Sequence, residues 1–271
     1  MKKWFEKALT NSWLRRYILI GYAAKGTVYL LIGLYAVQAA IYPEQEALGT
    51  YLTLSFVRYK PLGSLLVFLL GITLIGYVLR RLFQTILLPG HSNPWSLKSI
   101  VQRLGYIASG LSYAGVAYSA FNIVFELGEY DDSIQDFVRG LFERPTGKWL
   151  VLLGGILVIA VGISYVYGAY SGSYISDFRS FDLDRKINKW ATRIGQVGVA
   201  SRGVAFILMG TFLIQAAIYT DSKLAGGLQN ALRELATKPL GELWLGLIGI
   251  GLTCYGIYMF AATMYRRYVI R

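Results

Sequence analysis

The chain has 271 residues, 55% of them hydrophobic. Its mean hydropathy of +0.47 is too apolar for a soluble domain of this length. The formal net charge is +12, but no basic run is interleaved with aromatics on a soluble face, which excludes nucleic acid as a partner. One cysteine, Cys254, and one histidine, His91, exclude a disulfide framework, a Cys- or His-cluster metal site and a paired-histidine haem. No metal or other cofactor is expected.

Residues 1–16 carry Phe5, Ala8, Leu9, Ser12 and Trp13 on one side and a basic remainder. Such a segment is suited to lie on anionic headgroups of the cytoplasmic leaflet. The first apolar run, Tyr17–Tyr42, exceeds the ~20 residues needed to cross the bilayer. It is too long for the apolar region of a signal peptide, and its Val37–Tyr42 ending recurs almost unchanged as Ile214–Tyr219. It is therefore read as a retained span. A polar stretch follows, with a loose amphipathic set at Leu48, Tyr51, Leu52 and Ser55. Then comes the tetrad Lys60-Pro61-Leu62-Gly63 and a second apolar run, Leu62–Leu79.

The same order of features returns twice. Gly21-x4-Gly26, Gly105-x4-Gly110 and Gly198-x4-Gly203 each lie in a first run. Arg144-Pro145-Thr146-Gly147 and Lys238-Pro239-Leu240-Gly241 match the first tetrad. From the second glycine to the proline the distance is 35, 35 and 36 residues, which marks three copies of one unit. The later spans are Leu104–Phe125, Trp149–Tyr170, Gly195–Tyr219 and Leu243–Met264. Ile134, Phe137, Val138, Leu141 and Phe142, and then Leu228, Ala231, Leu232, Leu235 and Ala236, predict short helices in the outer interface. The fold class is thus all-α and polytopic: repeat one at 17–90, repeat two at 91–170, a basic cytoplasmic linker at 171–194 and repeat three at 195–271. Units of two spans keep their orientation, so three of them can surround a pseudo-threefold axis along the membrane normal.

Charge sets the expected orientation. The N-terminus, the loops after spans two and four and the C-terminus hold 17 basic residues against four acids; the other loops and margins hold eight against eleven. The positive-inside rule places both termini in the cytoplasm, with anionic headgroups on that side as partners.

Small residues recur seven apart on the first helices: Gly26, Gly33 and Ala40; Gly110 and Ala117; Gly203, Gly210 and Ala217. Such stripes are expected to be packing seams. Proline costs nothing at the first turn of a helix, so Pro61, Pro145 and Pro239 are expected to initiate spans two, four and six. Their preceding Lys60, Arg144 and Lys238 are placed to meet phosphates or carboxylates.

Lys25 and Arg202 occupy one repeat position inside the first and fifth spans, with Ser109 as the third equivalent. Two readings stand for these cations. Both snorkel to the cytoplasmic headgroups, or both face inward and bind an anion or lipid phosphate. In the second, Ser109 lines the same site. Tyr29 and Phe206, one turn further on, offer a ring to Lys25 and Arg202 respectively.

The nine-residue stretches Gly21–Tyr29, Gly105–Tyr113 and Gly198–Phe206, with Lys238–Gly241, resemble the repeat signature of a bacterial membrane family, domain of unknown function number twelve hundred and six. The resemblance implies three tandem two-helix units over nearly the whole chain and a bacterial plasma (inner) membrane location. It brings no activity with it. The expected role is a non-enzymatic bundle that binds lipid or a membrane-protein partner. The alternative is a channel or transporter for a small anion or anionic amphiphile, told apart by flux in proteoliposomes.

Overall fold

A computed structural model of the chain describes residues 12–42, 44, 48–87, 97–126, 133–172 and 185–265. Most of the N-terminal amphipathic segment, the middle of the basic linker and His91 lie outside the described residues. Within them the fold is all-α: α1 (Ser12–Ile41), α2 (Thr50–Arg58), α3 (Gly63–Leu87), α4 (Leu97–Phe125), α5 (Ser133–Phe142), α6 (Gly147–Ser171), α7 (Arg185–Tyr219), a 3₁₀ turn at Ser222–Leu224, α8 (Leu228–Ala236) and α9 (Gly241–Tyr265). Among the described residues, six helices are long and apolar enough to cross a membrane: Ile20–Ile41, Gly63–Ile86, Gly105–Phe125, Gly147–Ser171, Trp190–Tyr219 and Gly241–Thr263. Each repeat is thus a long helix, a short amphipathic helix and a second long helix. The chain is a multi-pass membrane protein.

Four helices run well past the spans expected of them: α1 begins at Ser12 and α4 at Leu97, and two others overrun at charged residues. α3 continues to Leu87, beyond Arg80 and Arg81, and α7 begins at Arg185. Charge marks where an apolar stretch ends, but arginine is a good helix former, so it does not end the helix. Exposed apolar residues cover one face of several long helices, for example Leu150, Leu153 and Leu157 on α6, and Leu243, Leu247 and Ile250 on α9. At three- and four-residue spacing these form stripes that lipid would cover.

The chain forms two compact units, one drawn from 1–25 and 54–127, the other from 26–53 and 128–271. In the first, α3 packs on α4 with Gly71 against Ala120 and Phe121, and Phe68 edge-on to Phe121 and Phe125. Its α1 residues meet α3, where the Tyr17 hydroxyl donates to the Ile72 carbonyl. In the second unit, α6 packs on α7 and α9 on both α7 and α1. The expected glycine seams run here. A Cβ on Gly26 would stand 3.0 Å from the Gly256 carbonyl oxygen, and one on Gly33 would stand 2.6 Å from that of Gly249. Gly203 meets Gly162 at 2.7 Å, and Gly210 meets Gly155 at 2.8 Å. In both of these glycine seams the second helix of one repeat meets the first helix of another. Gly110 departs from the expectation: a Cβ there would meet only the Arg81 Cβ, at 3.3 Å. The register position that is Gly162 and Gly256 in the other second helices is Val78 in α3, and its branched side chain leaves no groove for a backbone.

The prolines do not begin the helices. Pro61, Pro145 and Pro239 each take the second place of a four-residue turn, closed by Gly63 N–H to the Lys60 carbonyl (2.8 Å), Gly147 to Arg144 (3.0 Å) and Gly241 to Lys238 (2.8 Å). Proline's fixed φ suits that place. The helices start two residues later, at the glycines. A Cβ on Gly63 would fall 1.8 Å from the Val57 carbonyl oxygen, on Gly147 1.6 Å from that of Leu141, and on Gly241 2.4 Å from that of Ala236. The glycine lets the second long helix start against the end of the short one. Of the tetrad cations, Lys238 forms an ion pair with Glu234 at 2.7 Å, while Lys60 and Arg144 are exposed.

Candidate functional site: two buried cation–tyrosine clusters

The Gly-x4-Gly motif places the cations. In α1, a Cβ on Gly21 would stand 2.7 Å from the Thr73 carbonyl oxygen and 2.8 Å from the Tyr77 nitrogen. In α7, one on Gly198 would stand 2.5 Å from the Tyr255 backbone. At both sites glycine lets the long helices touch at a tyrosine. One turn further on, the cation reaches that tyrosine's hydroxyl. Gly105, the third equivalent, has nothing within 4 Å.

In the first unit, Lys25 is 1% exposed and donates from Nζ to the Tyr77 hydroxyl at 3.0 Å. The ammonium also lies over the Tyr77 ring (4.6 Å) and the Tyr113 ring (4.9 Å). Arg81 Nε donates to the same phenolic oxygen at 2.7 Å, and the Ser109 hydroxyl is 3.2 Å from it. The Arg81 guanidinium lies over the rings of Tyr77 (5.0 Å) and Tyr106 (5.3 Å), and its NH1 donates to Gln84 Oε1 at 2.8 Å. Arg80 lies over Tyr22 at 4.9 Å. The rings of Tyr22 and Tyr113 meet Tyr77 edge-on. Tyr77 itself is fully buried.

In the second unit, Arg202 is 1% exposed and donates from NH1 to the Tyr255 hydroxyl at 2.7 Å. Four rings surround its guanidinium: Tyr165 at 4.7 Å, Phe206 at 5.2 Å, Tyr255 at 5.2 Å and Tyr29 at 5.4 Å. Tyr29 packs edge-on against Tyr255.

Both cations therefore sit inside the protein, the inward of the two arrangements the sequence leaves open. Ser109 shares the Lys25 cluster, and Phe206 shares the Arg202 cluster. The expected pairing of Tyr29 with Lys25 is corrected: Tyr29 serves Arg202, while Lys25 takes Tyr113, the residue four after Ser109. Sequence reasoning missed Tyr77, Tyr255, Tyr113, Tyr165 and Arg81. Register could have found the first two, since each lies fourteen residues after its tetrad glycine, Gly63 or Gly241.

A charge this deep in an apolar bundle is costly, and π faces and phenolic oxygens offset part of that cost while leaving the net charge in place. Among the described residues, neither cluster holds a nucleophile–base pair.

Three segments of the chain, residues 20–87, 104–172 and 197–266, match the family described as Domain of Unknown Function (DUF1206). The chain is also 31% identical over 263 residues to a Bacillus subtilis (strain 168) protein titled "Uncharacterized protein YxxB", covering 96% of this chain and 94% of that one. No solved structure matches it. With three matched segments that together take in most of its length, each a pair of long apolar helices, the chain belongs to the DUF1206 family.

Proposed function

We propose that this protein is a non-catalytic bundle of the bacterial plasma membrane that binds anionic lipid through cations buried in its helical core, in support of another membrane component. One observation carries the reading. Lys25 and Arg202, at one repeat position, are both buried with their tips on tyrosine hydroxyls. Intramembrane cations mark function by default. The non-catalytic half of the reading rests on a side-chain inventory with a single His and a single Cys, and spans whose only acidic residue is Glu242. The bias of basic residues to one set of loops supports cytoplasmic termini, as does the even number of spans.

Native mass spectrometry of the purified full chain tests the lipid reading, wild type beside Lys25→Met/Arg202→Met. Wild type is expected to retain a defined anionic lipid that the double variant loses. Equal adducts on both proteins, with the variant folded, would sink it. A fluorescent protein fused to the C-terminus, of a kind that matures only in the cytoplasm, tests the orientation. It should fluoresce, and a dark fusion present in the membrane would reverse the topology.

A further inference from the structure

The two clusters are not equal. We propose that the first unit's cluster, Lys25 and Arg81 converging on Tyr77 beside Ser109, binds a phosphomonoester-type dianion, while the ring cage of Arg202 in the second unit is structural. The inference rests on the anion-binding reading above and says which cluster performs it and on what chemistry.

The first ground is convergence. A single phenolic oxygen lies 3.0 Å from Lys25 Nζ, 2.7 Å from Arg81 Nε and 3.2 Å from Ser109 Oγ. Two positive charges that share one neutral acceptor in apolar surroundings repel each other, and the repulsion weakens when a third group brings negative charge. Around Arg202 there is one cation and four rings. The register position of Arg81, eighteen residues after the tetrad glycine, is Tyr165 in repeat two and Met259 in repeat three. Neither of those two positions carries a charged side chain.

The second ground is charge balance. Residues 1–25 and 54–127 hold twelve basic side chains and two acidic ones, Glu6 and Glu126. Glu126 forms an ion pair with Arg58, far along the chain from Arg81. Residues 26–53 and 128–271 hold fifteen basic and thirteen acidic side chains. The excess charge of the protein therefore belongs almost wholly to the first unit.

Access is the third ground. Arg80, Arg81, Gln84 and Tyr106 are half-buried, whereas Lys25, Tyr77 and Ser109 are buried. A phosphate meets the arginines first, with the Lys25 charge behind them. The α3 macrodipole is negative at this end but fades within the last turn, and Arg81 lies more than a turn inside Leu87.

The ligand class follows from the donors. A carboxylate brings one charge. A phosphomonoester brings about −1.5 to −2 and three acceptor oxygens, which suits a guanidinium fork, an ammonium and hydroxyl donors together. The headgroup of phosphatidic acid and free inorganic phosphate share this chemistry.

The test uses the full chain in nanodiscs of phosphatidylcholine with or without phosphatidic acid, and separately inorganic phosphate added to protein in detergent. Wild type, Lys25→Met, Arg81→Gln and Arg202→Met are compared, with circular dichroism to confirm folding. Retention of the dianion should fall about tenfold or more in Lys25→Met and Arg81→Gln, and stay near wild type in Arg202→Met, whose melting temperature should drop. Binding of the lipid alone assigns the site to a headgroup; binding of inorganic phosphate with the same sensitivities assigns it to a soluble anion. Arg81 is only half-buried, so Arg81→Gln keeps the test open if Lys25→Met does not fold. If only Arg202→Met loses the anion, this inference falls while the anion-binding reading stands. If wild type retains neither probe, both fall.

Discussion

A tyrosine hydroxyl that takes a hydrogen bond from a buried cation is a costly atom to remove. Tyr255→Phe deletes the acceptor of Arg202 and leaves the ring in place, and is expected to destabilise by about 1–3 kcal/mol in thermal or denaturant unfolding. Phe206→Leu removes a ring but no hydrogen bond, and should cost less than Tyr255→Phe. Equal losses would mean that the cage, not the bond, holds Arg202. The sequence shows why such residues matter only when read in register. Lys25 and Arg202 stand out as charges in apolar runs, while Tyr77 and Tyr255 are two among twenty-one tyrosines, most of which membrane interfaces would explain. Arg81 is hidden for another reason. Beside Arg80 it marks the end of an apolar run, and only a helix carried on to Leu87 puts it one turn past Tyr77 on the same face.

At the scale of the element, the tetrad turns differ in a way that can be measured. Leu62 and Leu240 adopt positive φ, 60° and 59°, where a side chain is strained, whereas Thr146 has φ −94°. Leu62→Gly and Leu240→Gly should raise stability by up to about 1 kcal/mol, and Thr146→Gly should lower it by a similar amount. Gains at all three positions would contradict the turn geometry. The motif glycines separate likewise. Alanine at Gly21 or Gly198 meets backbone and should lower the melting temperature by several degrees, while alanine at Gly105 meets open space and should be tolerated. The stripes of small residues and the short amphipathic helices are legible in the sequence because their periods are helical. The role of proline is not, since Pro fits both a helix start and the second place of a turn; what decides is the glycine two residues on, pressed against a carbonyl.

For the whole molecule, the fixed spacing of the repeats makes the six spans and their tandem order readable without coordinates. How the helices pair is not readable, because an apolar face gives no address when lipid is equally apolar. The compact units accordingly cut across the repeats: α3 of repeat one goes with α4 of repeat two, and α9 of repeat three with the later part of α1. The uneven charge has a consequence at this scale too. Raising salt should weaken anion retention by the first unit only modestly, since a site with buried cations is screened less than surface charge. A steep loss between low and physiological ionic strength, followed by native mass spectrometry from matched buffers, would point to loop residues instead.

The seam of Gly26 and Gly33 with Gly256 and Gly249 joins the first helix to the last. The ribosome releases them far apart in time. At roughly 5–20 residues per second, α9 follows α1 by tens of seconds. For that interval the newborn first helix waits in the bilayer with its glycine face bare, close to other nascent helices that could occupy it. A protein so built is committed to its final arrangement only when its last span arrives. A ribosome that stalls at the third tetrad leaves behind a chain with most of its helices inserted and its first helix lacking this partner, the kind of species that membrane quality-control proteases are placed to remove.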